Sequence, residues 1–208
     1  MTAHILKIFV AGALLGLSAH AAILAEERRN GAALPNLDCT YNSRVDRDIA
    51  LFHGCAWLDQ NGRLHVTPWH LGRLTYDRYG LATIRVDQWY YVRRDGRLAP
   101  VMALDNWAEP FSDGLARSPA GGKIGYIDRE LRLVIPARFD GAFGFERGAA
   151  VVCIGCKLVS SGEHSHYEGG TWGCIDRKGQ ELSPLRSLLP TEAYDASCPR
   201  VQQHSDPQ

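Results

Sequence analysis

From about residue 54 onward, short apolar runs alternate with polar turns that carry a glycine. Ala56-Trp57-Leu58 leads into Asp59-Gln60-Asn61-Gly62, and Leu64-His65-Val66 follows. The same order returns at Tyr91-Val92-Arg93-Arg94-Asp95-Gly96 and at Cys174-Ile175-Asp176-Arg177-Lys178-Gly179. A further copy, Tyr126-Ile127-Asp128-Arg129-Glu130-Leu131, keeps all but the glycine, so the turn positions fall at 62, 96, 131 and 179. A period near 35 residues is the mark of a repeat architecture in which each unit leaves an apolar face for its neighbour to cover. Asn61-Gly62 and Asp95-Gly96, flanked by short apolar and aromatic segments, predict tight hairpin turns with positive φ. Leu131 cannot take positive φ cheaply, which predicts another turn geometry there, or strain.

Each unit continues with a strand expected to end at proline: His65-Val66-Thr67-Pro68, Leu98-Ala99-Pro100 and Leu133-Val134-Ile135-Pro136. An aromatic or Leu before Asp comes next (Tyr76-Asp77, Leu104-Asp105, Phe139-Asp140). The unit closes on a glycine-led strand: Gly80-Leu81-Ala82-Thr83-Ile84, Gly114-Leu115-Ala116 and Gly148-Ala149-Ala150-Val151-Val152. That is about three short strands per unit, with no long helical period. Helical turns are expected only at residues 183–189 or 191–196.

These residues resemble the WG-repeat family of bacterial proteins. The third copy is nearest to its pattern: Gly122-Lys123-Ile124-Gly125-Tyr126-Ile127-Asp128, Val134-Ile135-Pro136, Phe139-Asp140, Phe143 and Gly148-Ala149-Ala150-Val151-Val152, with Ile124 in place of the naming tryptophan. Gly170-Thr171-Trp172-Gly173-Cys174-Ile175-Asp176 restores the Trp-Gly pair, while Trp89-Tyr90-Tyr91-Val92 and Ala56-Trp57-Leu58-Asp59 lack the glycine. The resemblance covers residues 54–182. It implies an all-β array of about four antiparallel hairpin or three-stranded repeats, open superhelical or solenoid-like, and carries no catalytic residues. Short irregular extensions are expected at residues 22–53 and 183–208, and an insertion at residues 153–170.

The N-terminus reads differently. Residues 1–7 carry one positive charge, residues 8–17 are an apolar run too short to span a membrane, and Ala19-His20-Ala21 supplies a small-x-small cleavage site. A signal peptide over residues 1–21 is expected, cut after Ala21 or, second, after Ala25. Export to the periplasm or medium follows, with no membrane span after cleavage. All six cysteines lie beyond that segment, and an even number in an exported chain reads as disulfides. Cys153 with Cys156, Cys39 with Cys55 and Cys174 with Cys198 are the preferred pairs. Exchange of Cys174 with Cys153 or Cys156 is the rival.

Composition fits a soluble globular chain of 208 residues, 45% apolar and 22% charged. The formal charge is zero, so nothing predicts the salt-sensitive attraction typical of nucleic-acid binders. Chemistry is sparse. Cys153, Cys156, His164 and His166 fall within fourteen residues of the insertion and could ligate zinc, but the spacing matches no standard site. A thiol-redox role would need a helix start that the strand-rich context does not offer. Asp59, Asp128 and Asp176 precede turns at one offset, where a carboxylate accepts backbone N–H groups, so they read as turn residues and not as an acid/base row. Trp57, Trp69, Trp89, Tyr90, Tyr91, Trp107 and Trp172 could line a sugar or peptide groove, although packing between units is the more ordinary use. No cofactor is expected. The reading is an exported, non-catalytic repeat protein that binds another protein or a cell-envelope polymer; the alternative is a zinc or thiol-redox protein centred on the insertion.

Overall fold

A computed structural model describes residues 35–161, 164–186 and 198. The expected signal peptide and the first part of the N-terminal lead lie outside them, as does most of the C-terminal tail. Among the described residues the chain is almost entirely β, built as four antiparallel three-stranded meanders. The first comprises β1 (Leu37–Ser43), β2 (Asp48–Leu58) and β3 (Leu64–Val66), and the second β4 (Leu81–Arg85), β5 (Trp89–Arg93) and β6 (Leu98–Val101). Pairing of β1 with β4, through Thr40 with Arg85 and Tyr41 with Ile84, merges these two into one six-stranded sheet. The third comprises β9 (Ala116–Ala120), β10 (Lys123–Ile127) and β11 (Leu133–Phe139), and the fourth β13 (Ala149–Ile154), β16 (Thr171–Asp176) and β17 (Glu181–Arg186), with β12 (Gly141–Ala142) on the edge beside β13. Two small hairpins stand apart: β7 (Ala103–Leu104) with β8 (Trp107–Ala108), and β14 (Lys157–Ser161) with β15 (His164–Glu168), the latter inside the expected insertion.

The meanders run out of phase with the sequence repeat. Each begins with the glycine-led strand that closes one sequence unit and continues with the two strands that open the next. In the first meander the N-terminal lead supplies this strand as β1. Residues 37–53, expected as an irregular lead, are therefore part of the sheet.

Two kinds of turn recur. Those between the second and third strands, here called front turns, share one pattern. Asp59 N–H donates to Arg63 O and Gly62 N–H to Asp59 O, with the same pair of bonds at Arg93, Asp128 and Asp176. This is a three-residue hairpin loop whose last residue takes the left-handed conformation: φ is 74° at Gly62, 85° at Gly96, 62° at Leu131 and 78° at Gly179. The tight hairpin turns with positive φ expected at Asn61-Gly62 and Asp95-Gly96 form, with the glycine as the left-handed residue. Leu131 adopts the glycine conformation at a cost of about 1 kcal/mol; it keeps its side chain against a core. Two-residue turns with both central residues at positive φ occur in the second half of the units, at Asp113-Gly114 and Arg147-Gly148.

Four apolar clusters follow the chain order. Tyr41, Ile84, Tyr90 and Val92 belong to one on the six-stranded sheet. Leu81, Trp89, Tyr91 and Val101 from the same sheet share a second with Ala116 and Ile127 of the third meander. Tyr126, Ile135 and Phe139 share a third with Ala150, Val152 and Ile175 of the fourth meander. Cys153, Cys156 and Trp172 form the last, against Phe143 and Tyr167. Interior faces are thus covered by the adjoining meander, which is what alternating strands with two apolar faces require.

The strands do not all stop at their prolines. Pro100 lies within β6 and Pro136 within β11, the outer strand of its meander, where a missing ladder donor costs least. Pro68 instead opens the short helix α1 (Pro68–Leu71), capped by Thr67, whose hydroxyl accepts from His70 N–H. Residues 183–186, expected to turn helically, lie in β17. No helix among the described residues is long and apolar enough to cross a membrane.

Candidate functional site

The front-turn carboxylates are held by backbone. Asp59 Oδ1 accepts from Asn61 and Arg63 N–H (2.8 and 2.9 Å), Asp128 Oδ1 from Glu130 and Arg132, and Asp176 Oδ1 from Lys178 and Gln180. The hydrogen bond with His65, joined by the Arg63 and Asn61 N–H groups, holds the Asp59 carboxyl down at about 2. These side chains close turns in separate units and do not converge on one point.

The cysteines pair as Cys39 with Cys55, Cys153 with Cys156 and Cys174 with Cys198, at Cα separations of 5.8, 6.2 and 5.6 Å. Cys39 and Cys55 are fully buried between β1 and β2. Cys153 and Cys156 close the turn after β13, where Gly155 has φ 78°, and sit 0% and 5% exposed among Trp172, Phe143 and Tyr167. The bond takes up both sulfurs that a zinc site at the insertion would need. His166 lies on β15 with Nε2 2.8 Å from Glu168 Oε1, and the His164 side chain lies outside the described residues. Among the described residues no three His, Cys, Asp or Glu side chains are grouped to hold a metal.

The aromatic candidates divide. Trp89, Tyr90, Tyr91 and Trp172 are buried. Trp57 stacks on His65 with ring centroids 5.2 Å apart. Tyr91 donates its hydroxyl to Glu109 O and packs on Phe111 (4.7 Å); one repeat later Tyr126 donates to Phe143 O and packs on Phe145 (4.8 Å). Burial drives the Tyr91 hydroxyl up to about 12 and Tyr126 higher still. Trp69 and Trp107 remain 50% and 40% exposed. Trp107 leans on Trp89 (4.6 Å) beside a cleft of about 350 Å³ walled by Arg85, Asp87, Gln88, Trp89, Asp105 and Asn106. There the Tyr90 hydroxyl donates to Asp87 and accepts from Gln88.

One feature went unread in the sequence. At the second position of the front turn, units two, three and four carry Arg94, Arg129 and Arg177. The Arg94 guanidinium lies 4.2 Å over the Tyr76 ring, and that of Arg129 lies 4.3 Å over Tyr79 and 5.5 Å over Phe111. A Cβ placed on Gly114 would meet Arg177 Nη2 at 3.5 Å and Arg129 Nη1 at 3.7 Å, so two successive turns aim guanidinium groups at one point. The common offset was the available signal.

A repeated three-stranded meander with shared cores defines the chain as a β-repeat protein. Residues 124–157 match the family model described as WG containing repeat, so the third unit of the chain carries a WG repeat. No curated protein and no solved structure matches the chain.

Proposed function

We propose that this is an exported, non-catalytic protein whose repeated β surface binds another protein or a cell-envelope polymer. The observation that carries the reading is the contrast between the two sets of repeated side chains. The turn carboxylates are engaged by their own backbone, whereas the turn arginines Arg94 and Arg177, with Trp69 and Trp107, are exposed. Groups held in that way are poor proton-transfer agents, and exposed arginine and tryptophan are the side chains that most often anchor binding surfaces. Export is supported by the apolar N-terminal run with its small-x-small site and by the three disulfides, which persist in oxidising compartments.

The test is expression of the full chain in a Gram-negative host, followed by fractionation, intact mass under non-reducing conditions, and co-sedimentation with isolated envelope fractions and with purified envelope polymers. Expected are periplasmic material beginning at Ala22, a mass six hydrogens below that of the reduced chain, and saturable sedimentation with an envelope fraction. Cytoplasmic protein with its N-terminus intact and free thiols would overturn export, and hydrolysis of any polymer tested would overturn the non-catalytic assignment.

A further inference from the structure

The geometry points to the partner's chemistry: we propose that the edge formed by the front turns of units two, three and four binds an acidic polysaccharide, with Arg94, Arg129 and Arg177 as the contacts. The proposal rests on the binding reading above and narrows it.

The edge is a row and not a scatter of surface charge. Each arginine is delivered from the same turn position, and the turns are tied to one another. Arg93 Nη1 donates to Arg129 O at 2.8 Å, linking the second unit's turn to the third, and Arg138 Nη2 donates to Gly179 O at 2.7 Å, linking the third unit to the fourth. In the second half of the units, Asp113 Oδ2 accepts from Gly148 N–H at 2.7 Å, so the neighbouring turns are fixed too. The turns that carry the guanidinium groups are therefore held relative to one another by the fold, which lowers the ordering cost of binding.

The charges are also available. Other arginines on these turns are neutralised: Arg97 pairs with Asp95 and Arg132 with Asp128. Arg94, Arg129 and Arg177 make no ion pair with a carboxylate among the described residues, and Arg94 and Arg177 are exposed. The aromatic faces under Arg94 and Arg129 hold two of the planes in place without consuming their N–H donors, which remain free for the oxygens of a carboxylate, sulfate or phosphate. Arg78, over the same Tyr79 ring at 4.8 Å, adds a fourth cation.

One guanidinium on each of three linked turns, two of them converging beside Gly114, suits a ligand that carries several charges along its length. A linear polymer of acidic sugars has that property and a folded acidic protein surface does not. The formal charge of zero removes the general positive field on which nucleic-acid binding relies.

The test measures binding of the full disulfide-bonded protein to heparin and alginate, with dextran, poly-L-glutamate and a single-stranded oligonucleotide as comparators, over a range of salt. Arg94→Gln/Arg177→Gln is the test variant and Arg85→Gln, at the cleft, its control; circular dichroism verifies each fold. Expected is binding to the acidic polysaccharides that weakens with salt, falls about tenfold in the double variant with a shallower salt dependence, and is unchanged in Arg85→Gln. Unchanged affinity in the double variant, or tighter binding of polyglutamate or the oligonucleotide, would overturn the proposal. Binding of dextran alone, lost in Arg85→Gln, would also overturn it while leaving the wider binding reading in place.

Discussion

Replacing Gly125 with alanine is expected to be among the costliest single-methyl additions in this chain. Gly125 is the glycine of the third unit's motif, and its φ is not positive, so the left-handed conformation is not the reason for it. The reason is its neighbour strand. Ile124 pairs with Phe139 but Tyr126 with Ile135, so β11 bulges and residues 136–138 crowd over Gly125. A Cβ there would lie 2.5 Å from Ile135 O, 2.7 Å from Ala137 N and 3.0 Å from Ala137 Cα. All three are backbone atoms, so no rotamer change relieves the overlap. Overpacking costs about 1–3 kcal/mol, and two contacts under 3 Å place this case near the upper end. At about 2–4 °C per kcal/mol for a chain of this size, Tm should fall by about 6–12 °C.

Gly62→Ala is the internal reference. A Cβ at Gly62 meets nothing within 4 Å, so only the positive φ is penalised. About 1 kcal/mol, or about 2–4 °C, is expected. Thermal melts by circular dichroism, with urea midpoints as a check, compare the two. Equal losses, or a smaller loss for Gly125→Ala, would refute the close-approach explanation. Natural variation within the chain already agrees with it: unit two has Tyr90 at this position and β5 pairs with β6 without a register shift, whereas unit four has Gly173 and β16 shifts against β17.

Tyr126→Phe should lower stability by about 1 kcal/mol through loss of the hydrogen bond to Phe143 O, measured by urea unfolding, and Tyr91→Phe should cost a similar amount. Removing the Cys39 and Cys55 link as a double Ala variant should cost about 3 kcal/mol on loop entropy, against about 2 kcal/mol for Cys153 and Cys156, whose loop is far shorter; the reverse order in urea midpoints would refute that ranking. Asp59 has its folded carboxyl held at about 2, below the ordinary value of 3.8, so its contribution is present above about pH 4 and lost as pH falls through about 2. The urea midpoint of Asp59→Asn should therefore change less with pH over that window than that of the unaltered chain.

Much of the fold was legible because turn chemistry is local. Asp59, Asp128 and Asp176 declared their role through offset alone, and the spacing of the glycines gave the repeat. What the spacing could not disclose was phase, since a strand such as Gly80-Leu81-Ala82-Thr83-Ile84 carries no mark of which neighbour it pairs with. That is why β1 and the first half of β2 read in the sequence as a lead, although Cys39 and Tyr41 alternate with polar residues as a strand should. Helix α1 is four residues long, too short for any period, and only Thr67-Pro68 as cap and first residue could have signalled it. Leu131 misled because its side chain packs on a core that sequence cannot reveal. At the candidate site the buried aromatics were recognised as packing, but the arginine row was missed. Its residues were counted as net charge, where the acidic residues cancel them.

The stacking of successive meanders across shared cores is the claim on which the arginine row and its spacing depend. Methyl NOE spectroscopy tests it most directly. Cross-peaks are expected from Leu81 or Val101 to Ala116 or Ile127, and from Ile135 to Ala150 or Val152, because these pairs belong to cores shared by different meanders. Spectra in which methyl contacts remain within each meander would contradict it.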